Sequence, residues 1–170
     1  MMNVSEHWQE VKVLFKKSFK SSFHYAIATV NEDGKPHVTP IGSLILGKPG
    51  FGFYFEEFPS QLPCNFKINK HVCVLAVNSS KWFWIKSLVS GRFSSPPAVR
   101  LHGTAGVLRE ATEKEISFWQ NRVKRVSFSK GHAMMWANMK MVRELEFTGI
   151  EPVHLGEMTR DNWNKGSLKK

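Results

Sequence analysis

The sequence predicts a mainly β protein with flanking helices: an antiparallel barrel built as one domain over residues 1–170. Three observations carry that fold class. The runs "HYAIATV", "PHVTPIGSLIL", "FGFYF" and "HVCVLAV" are short and rich in β-branched and aromatic residues, and turn residues separate them. Helical periodicity is concentrated at the start of the chain and after Thr112, not between every pair of strands as a parallel α/β sheet requires. A chain of 170 residues is long enough to bury one sizeable core.

Each element has its own reason. Val4, Trp8, Val11, Phe15 and Phe19 recur at helical spacing behind the capping candidates Asn3 and Ser5, which predicts a helix over 1–21 with lysines mostly on its other faces. Glu32-Asp33-Gly34-Lys35 predicts a hairpin turn after the first strand. "PHVTPIGSLIL" returns as the second strand, Gly47-Lys48-Pro49-Gly50 turns the chain again, and "FGFYF" completes a three-strand meander with Phe51, Phe53 and Phe55 on one face. Ser60 opens a short helix over Pro63–Asn69, and "HVCVLAV" reads as a buried strand. Lys81 to Pro97 predicts a short helix and an irregular connection before "AVRLHGTAGVL" resumes as strand. Thr112 and Glu115 form a capping box for a helix reaching about Ser127, with Ile116, Trp119 and Val123 inward. "VRELEFTGIEPVHLG" supplies one or two closing strands, and residues 159–170 read as a loose polar tail.

Composition narrows the function. Hydrophobic residues at 42% and charged residues at 22% describe an ordinary globular chain, and no apolar run approaches the roughly 18 residues that a membrane span needs. No membrane partner is expected. Cys64 and Cys73 lack a CxxC spacing, which predicts buried, inert thiols in a reducing, cytoplasmic setting. The net charge of +10, from 24 Lys and Arg against 14 Asp and Glu, draws anions: nucleic acid, acidic lipid, or a phosphorylated small molecule. Its basic runs are short and scattered, so nucleic acid is the weaker expectation. The histidines show neither HxH nor HxxxH spacing, and no metal site is expected. The cluster Met134–Met141 reads as core filler or a partner-facing groove, and Trp82, Phe83 and Trp84 as a buried corner or the roof of a planar ring.

The ordered set of the turn "DGKPHVTP", an aromatic strand, the pattern Ser60-x-x-x-x-Asn65-Phe66-x-x-Asn69 and a buried strand resembles the pyridoxamine 5′-phosphate oxidase-like family of FMN-binding split barrels. The resemblance runs from about Tyr25 to Val77 and more loosely through the later strands. It implies a homodimeric flavoprotein, an oxidoreductase on an unknown small molecule, with FMN between subunits. It implies that the backbone of Thr39, Pro40, Ile41, Gly42 and Ser43 lies along the flavin ring, with Tyr54, Phe55 and Glu56 flanking it. Ser60 and Gln61 stand where the family grips the phosphate, yet the basic residues that usually follow the serine are absent. A dianion favours charge-assisted contacts and helix-start N–H groups, so a cation must come from elsewhere. Arg100 is the first choice, with Lys81 and Lys35 behind it. The same residues also fit plain structural roles: strand packing for Thr39, Gly42 and Ser43, core for the phenylalanines, and a helix cap for Ser60. Haem or a deazaflavin as ligand, a flavin store or sensor without turnover, and a nucleic-acid-binding barrel remain the alternatives.

Overall fold

The computed structural model describes residues 1–124 and 139–163. Helix α1 (Val4–Ser22) is followed by strands β1 (Tyr25–Val30), β2 (Pro36–Ile41), β3 (Ile45–Leu46) and β4 (Phe51–Phe55). Then come α2 (Gln61–Ile68), β5 (His71–Val77), α3 (Lys81–Ser90), β6 (Ala98–Glu110), α4 (Glu113–Val123), β7 (Met141–Pro152) and a 3₁₀ turn at Gly156–Thr159. One antiparallel sheet of seven strands, in the order β2-β1-β5-β6-β7-β4-β3, contains every strand of the described residues.

That order forces the sheet to roll. A flat sheet of this size would hold its two edges about 29 Å apart, at about 4.8 Å per strand. Strands β2 and β3 are those edges, yet only Gly42, Ser43 and Leu44 join them, a link that reaches about 14 Å when extended. The edges therefore meet without pairing, and the seam between them is the split of a split barrel. Two irregularities assist the bend: one between His102 and Gly103, where β7 carries an extra residue, and one between Ala105 and Leu108 on β6. The expected three-strand meander is corrected here. "PHVTPIGSLIL" breaks at the link, and β4 pairs with β3 and β7, not with β2. At Gly42 an added Cβ would stand 3.0 Å from the Phe23 carbonyl oxygen, so a side chain there would press on the neighbouring backbone where the chain crosses.

Helix α1 fills the inner side. Asn3 Oδ1 accepts from the Ser5 N–H at 2.9 Å, and Trp8, Val11, Leu14 and Phe15 pack with Ile27, Leu101, Leu145 and Ile150. A second cluster under α4 joins Ile45, Phe55, Trp119, Val123 and Met139, with Phe53 against it, while Phe51 is partly exposed. The continuation of α4 to Ser127 and most of the methionine cluster lie outside the described residues, as does the tail from residue 164. The second helix begins earlier than expected, at Gln61. The buried-thiol expectation is also corrected: α2 turns Leu62, Asn65 and Phe66 inward, which leaves Cys64 exposed, and Cys73 is half-buried on the outward side of β5.

The capping box of α4 is doubly used. Thr112 and Glu115 exchange bonds, and Arg109 on β6 reaches both Glu115, at 2.8 Å, and Glu144, at 2.7 Å. The Arg109 guanidinium holds the Glu115 carboxyl down from 4.5 to about 2. Because the folded value lies below the unfolded one, the stability this adds is complete above about pH 4.5 and is lost as pH falls toward 2. Glu115→Gln is expected to cost about 1 kcal/mol at neutral pH and to flatten the pH dependence of denaturant midpoints across that window. A mutant whose midpoints fall as steeply with acid as wild type contradicts this.

Candidate functional site

The β1–β2 hairpin sets Thr29 opposite His37 and Ile27 opposite Thr39, so Thr29, His37 and Thr39 share the inner side near the turn. Helix α2 lays Leu62 and Phe66 into the core and buries Asn65 beside them. Asn65 Nδ2 donates to Thr29 Oγ1 at 2.8 Å, and Gln61 Nε2 donates to Asn65 Oδ1 at 2.9 Å. The Thr39 hydroxyl lies 3.3 Å from His37 Nδ1. Gln61 is thus tied through Asn65 to Thr29 on β1, and Thr39 stands on the neighbouring strand β2, close to His37, which lies across from Thr29.

The start of α2 suits an anion in a limited way. Ser60 has no capping bond, is exposed, and precedes a first turn without an acidic residue. The two carboxylates just before it are already engaged. Glu56, with a side chain 2% exposed, accepts from Arg143 at 2.5 and 3.0 Å and from the Tyr54 hydroxyl. Glu57 accepts from the N–H groups of Lys140 and Met141, at 2.5 and 2.8 Å. Ser60, Gln61 and the first N–H groups of α2 offer donors, and among the described residues no bond brings a cation to them. The residues fit a phosphate through neutral contacts only.

Other candidates lie elsewhere. Pro40 faces outward, Ile41 enters the core, and Ser43 is buried, its hydroxyl bridging the N–H and carbonyl of Phe55 at 3.1 and 3.2 Å. Tyr54 is fully buried; burial and the Glu56 carboxylate push its phenol well up. Phe55 belongs to the core under α4. Arg100 projects from the outer side of β6, three strands from β2, where Nη1 meets Glu151 Oε1 at 2.7 Å and His102 meets the other carboxylate oxygen at 2.7 Å. A single copy therefore does not bring Arg100 to Gln61. Lys35 is paired with Asp33 in the hairpin turn at 3.2 Å, and Lys81 begins α3 beyond the opposite end of the sheet.

Sequence reasoning missed three residues that build the surroundings. Asn65 had a signal, a polar residue on the inward side of a short helix. Arg143 had none, since its partner Glu56 is remote in sequence. Arg122 stands in a basic stretch of sequence with Lys124 and Arg125, yet it donates to the Leu44 carbonyl and the Tyr25 hydroxyl, both at 2.7 Å, and stacks on Phe19 with 3.6 Å to the ring centre. It fastens the seam from beneath, and burial lowers its pKa.

A cleft of about 420 Å³ lies between the chain start and the end of β7, lined by Met1, Met2, Glu151, His154, Arg160 and Trp163 among others. None of the rim residues lines it. Among the described residues no group of three His, Cys, Asp or Glu could hold a metal ion, and no helix is long and apolar enough to cross a membrane.

Comparison with known proteins places this geometry. No curated protein matches the chain. Among solved structures, HupZ of Group A Streptococcus is 17% identical and superposes with a TM-score of 0.56 over 85% of this chain and 92% of that one. An FMN-binding protein from Syntrophomonas wolfei subsp. wolfei is 16% identical, with a TM-score of 0.51 over 88% and 94% of the two chains. An F420 reductase is 13% identical, with a TM-score of 0.50 over 75% and 88%. At these identities the likeness is one of fold. The sequence itself matches the pyridoxamine 5′-phosphate oxidase family over residues 15–154, and the chain belongs to that family.

Proposed function

We propose that the protein is a homodimer that binds FMN at the rim between β2 and α2, and that it transfers hydride or electrons to a small-molecule substrate. One observation carries this reading: β2 is an edge strand, and its hairpin shares a rim with the start of α2 through Thr29, Asn65 and Gln61. An edge strand keeps one row of backbone groups unpaired. The backbone of Thr39–Ser43 can meet the polar edge of a ring, while Ser60, Gln61 and the N–H groups opening α2 meet the phosphate. The bound flavin would supply the redox chemistry. The chain orients it and shields its ring. The missing cation comes from the second copy, whose Arg100 engages only one guanidinium nitrogen with Glu151.

The dimer has its own support. The outward residues of β2, β1 and β5 include Val38, Pro40, Ala26, Ala28, Leu75 and Val77, with no Asp, Glu, Lys or Arg among the outward positions of these strands. A solvated antiparallel face normally carries polar residues outward. Light scattering of the full chain at micromolar concentration is expected to give twice the monomer mass; a monomer contradicts the dimer. Protein purified without added cofactor is expected to show flavin absorbance, and turnover with a reduced nicotinamide donor separates an enzyme from a flavin store. Absorbance of haem or of a deazaflavin instead would overturn the FMN assignment.

A further inference from the structure

Helix α3 presents an apolar stripe to solvent. Trp82 is 81% exposed and Val89 85%, and Ile85 and Leu88 are exposed beside them. At 3.6 residues per turn these four fall on one side of the helix. The same winding puts Lys86 on one flank of the stripe and Lys81 on the other, next to Leu88. Both lysines are exposed, and among the described residues neither meets a carboxylate. The opposite side is seated: Ser87 is buried, and Phe83 and Trp84 lie against Phe93 with ring centres 5.4 and 5.2 Å apart. Trp84 Nε1 also donates to the Asn78 carbonyl at 2.6 Å. The helix cannot bury its stripe by rolling without breaking that corner.

The surroundings carry one sign of charge. Residues 78–97 contain Lys81, Lys86 and Arg92 and no Asp or Glu. The end of α1 is fastened to this segment. The Val77 and Ser79 N–H groups donate to Ser18 Oγ and Ser21 Oγ at 3.2 and 2.9 Å, and Lys17 Nζ donates to Ser95 Oγ at 3.3 Å. Residues 11–22 of α1 add four lysines and again no acid. We infer that α3 docks the protein on an anionic lipid surface, with Trp82, Ile85, Leu88 and Val89 in the headgroup layer and Lys81 and Lys86 on lipid phosphates. Tryptophan and aliphatic side chains gain by entering the boundary between headgroups and acyl chains, and flanking lysines gain from the negative surface. A duplex nucleic acid offers the phosphates but no apolar layer for Ile85, Leu88 and Val89. Setting α3 of one copy against α3 of another would oppose like charges. Ten residues are too few to cross a bilayer, so the contact is with its surface. This departs from the expectation of no membrane partner, which rested on the lack of a spanning run, and it does not depend on the flavin reading.

Co-sedimentation of the full chain with vesicles tests the contact. Vesicles of phosphatidylcholine mixed with half its amount of phosphatidylglycerol are expected to carry the protein down. Vesicles of phosphatidylcholine alone are expected to bind it at least about tenfold more weakly. Lys81→Gln with Lys86→Gln, and separately Trp82→Ser with Val89→Ser, are each expected to weaken binding to the mixed vesicles by about tenfold or more. All four positions are exposed, so unfolding midpoints stay near wild type. Trp82→Phe is expected to keep the binding and to remove most of the tryptophan quenching by vesicles with brominated acyl chains. Equal binding to both kinds of vesicle overturns the inference, as do α3 variants that bind the mixed vesicles as well as wild type. Protein that ignores both kinds of vesicle overturns it too, and two further readouts then assign the surface. If light scattering shows that Trp82→Ser with Val89→Ser separates subunits, the stripe lies between two copies of the chain. If duplex DNA is bound by wild type and not by the lysine variant, the cations serve nucleic acid.

Discussion

Gly103→Ala is expected to destabilise the protein by at least about 3 kcal/mol, enough to leave most of it unfolded or insoluble at 37 °C. An added Cβ at this position would stand 2.0 Å from the Glu146 carbonyl oxygen and 2.8 Å from the Phe147 Cα. Both are backbone atoms of β7, directly across from Gly103, and neither can rotate away as a side-chain tip could. Relief would require β6 and β7 to part at the irregularity that bends them, and every strand on either side depends on that pair. Thermal and denaturant unfolding measure the effect. A midpoint within a few degrees of wild type means that the bend relaxes at little cost, which contradicts a barrel closed by tight backbone approach.

Glu56→Ala is expected to cost about 2–4 kcal/mol, because it leaves a half-buried guanidinium and a buried phenol without their acceptor. Arg143 is 15% exposed at its side chain, and Tyr54 is fully buried. Arg143 keeps one further bond, to the Gly106 carbonyl at 3.2 Å, which does not neutralise it. Glu56→Gln retains an acceptor of the same shape and is expected to lose less. Replacing both charges together, as Glu56→Leu with Arg143→Met, is expected to recover much of the Glu56→Ala loss, since apolar side chains of similar volume carry no desolvation penalty. A double variant as unstable as Glu56→Ala would show that the pair holds β4 to β7 by geometry and not by charge balance.

Local signals made most of the elements legible. The Asn3 cap, the Thr112–Glu115 box and the hairpin at Glu32–Lys35 each lie within a few residues of what they organise, and each stands in the structure where the sequence reading put it. The meander failed because nothing local in "PHVTPIGSLIL" says that β2 and β3 belong to opposite edges; the strand order that separates them is set by pairings of β4 with β7 and of β1 with β5. The site divides the same way. Thr39 and Gln61 were readable as candidates from their place in a pattern, while the bonds that tie Gln61 through Asn65 to Thr29 were not, because they span helix and strand. The Glu56–Arg143 pair and the Arg122 clamp lie further still beyond sequence reading, since in a rolled sheet the partner of a charge is chosen by register.

Parallel titration of FMN and riboflavin into wild type and Arg100→Ala, followed by flavin fluorescence, tests most directly whether a phosphate is gripped at this rim. Riboflavin has the ring and lacks the phosphate. Neutral contacts from Ser60 and Gln61 contribute about 1 kcal/mol each, and a charge-assisted contact about 1.5–3 kcal/mol. Ser60→Ala is therefore expected to weaken FMN several-fold. Arg100→Ala is expected to weaken FMN by more than about tenfold and to leave riboflavin unchanged. Equal losses for FMN and riboflavin, or no loss for either, would place the phosphate away from Arg100, and wild-type protein that takes up no flavin would show a barrel that has changed its ligand.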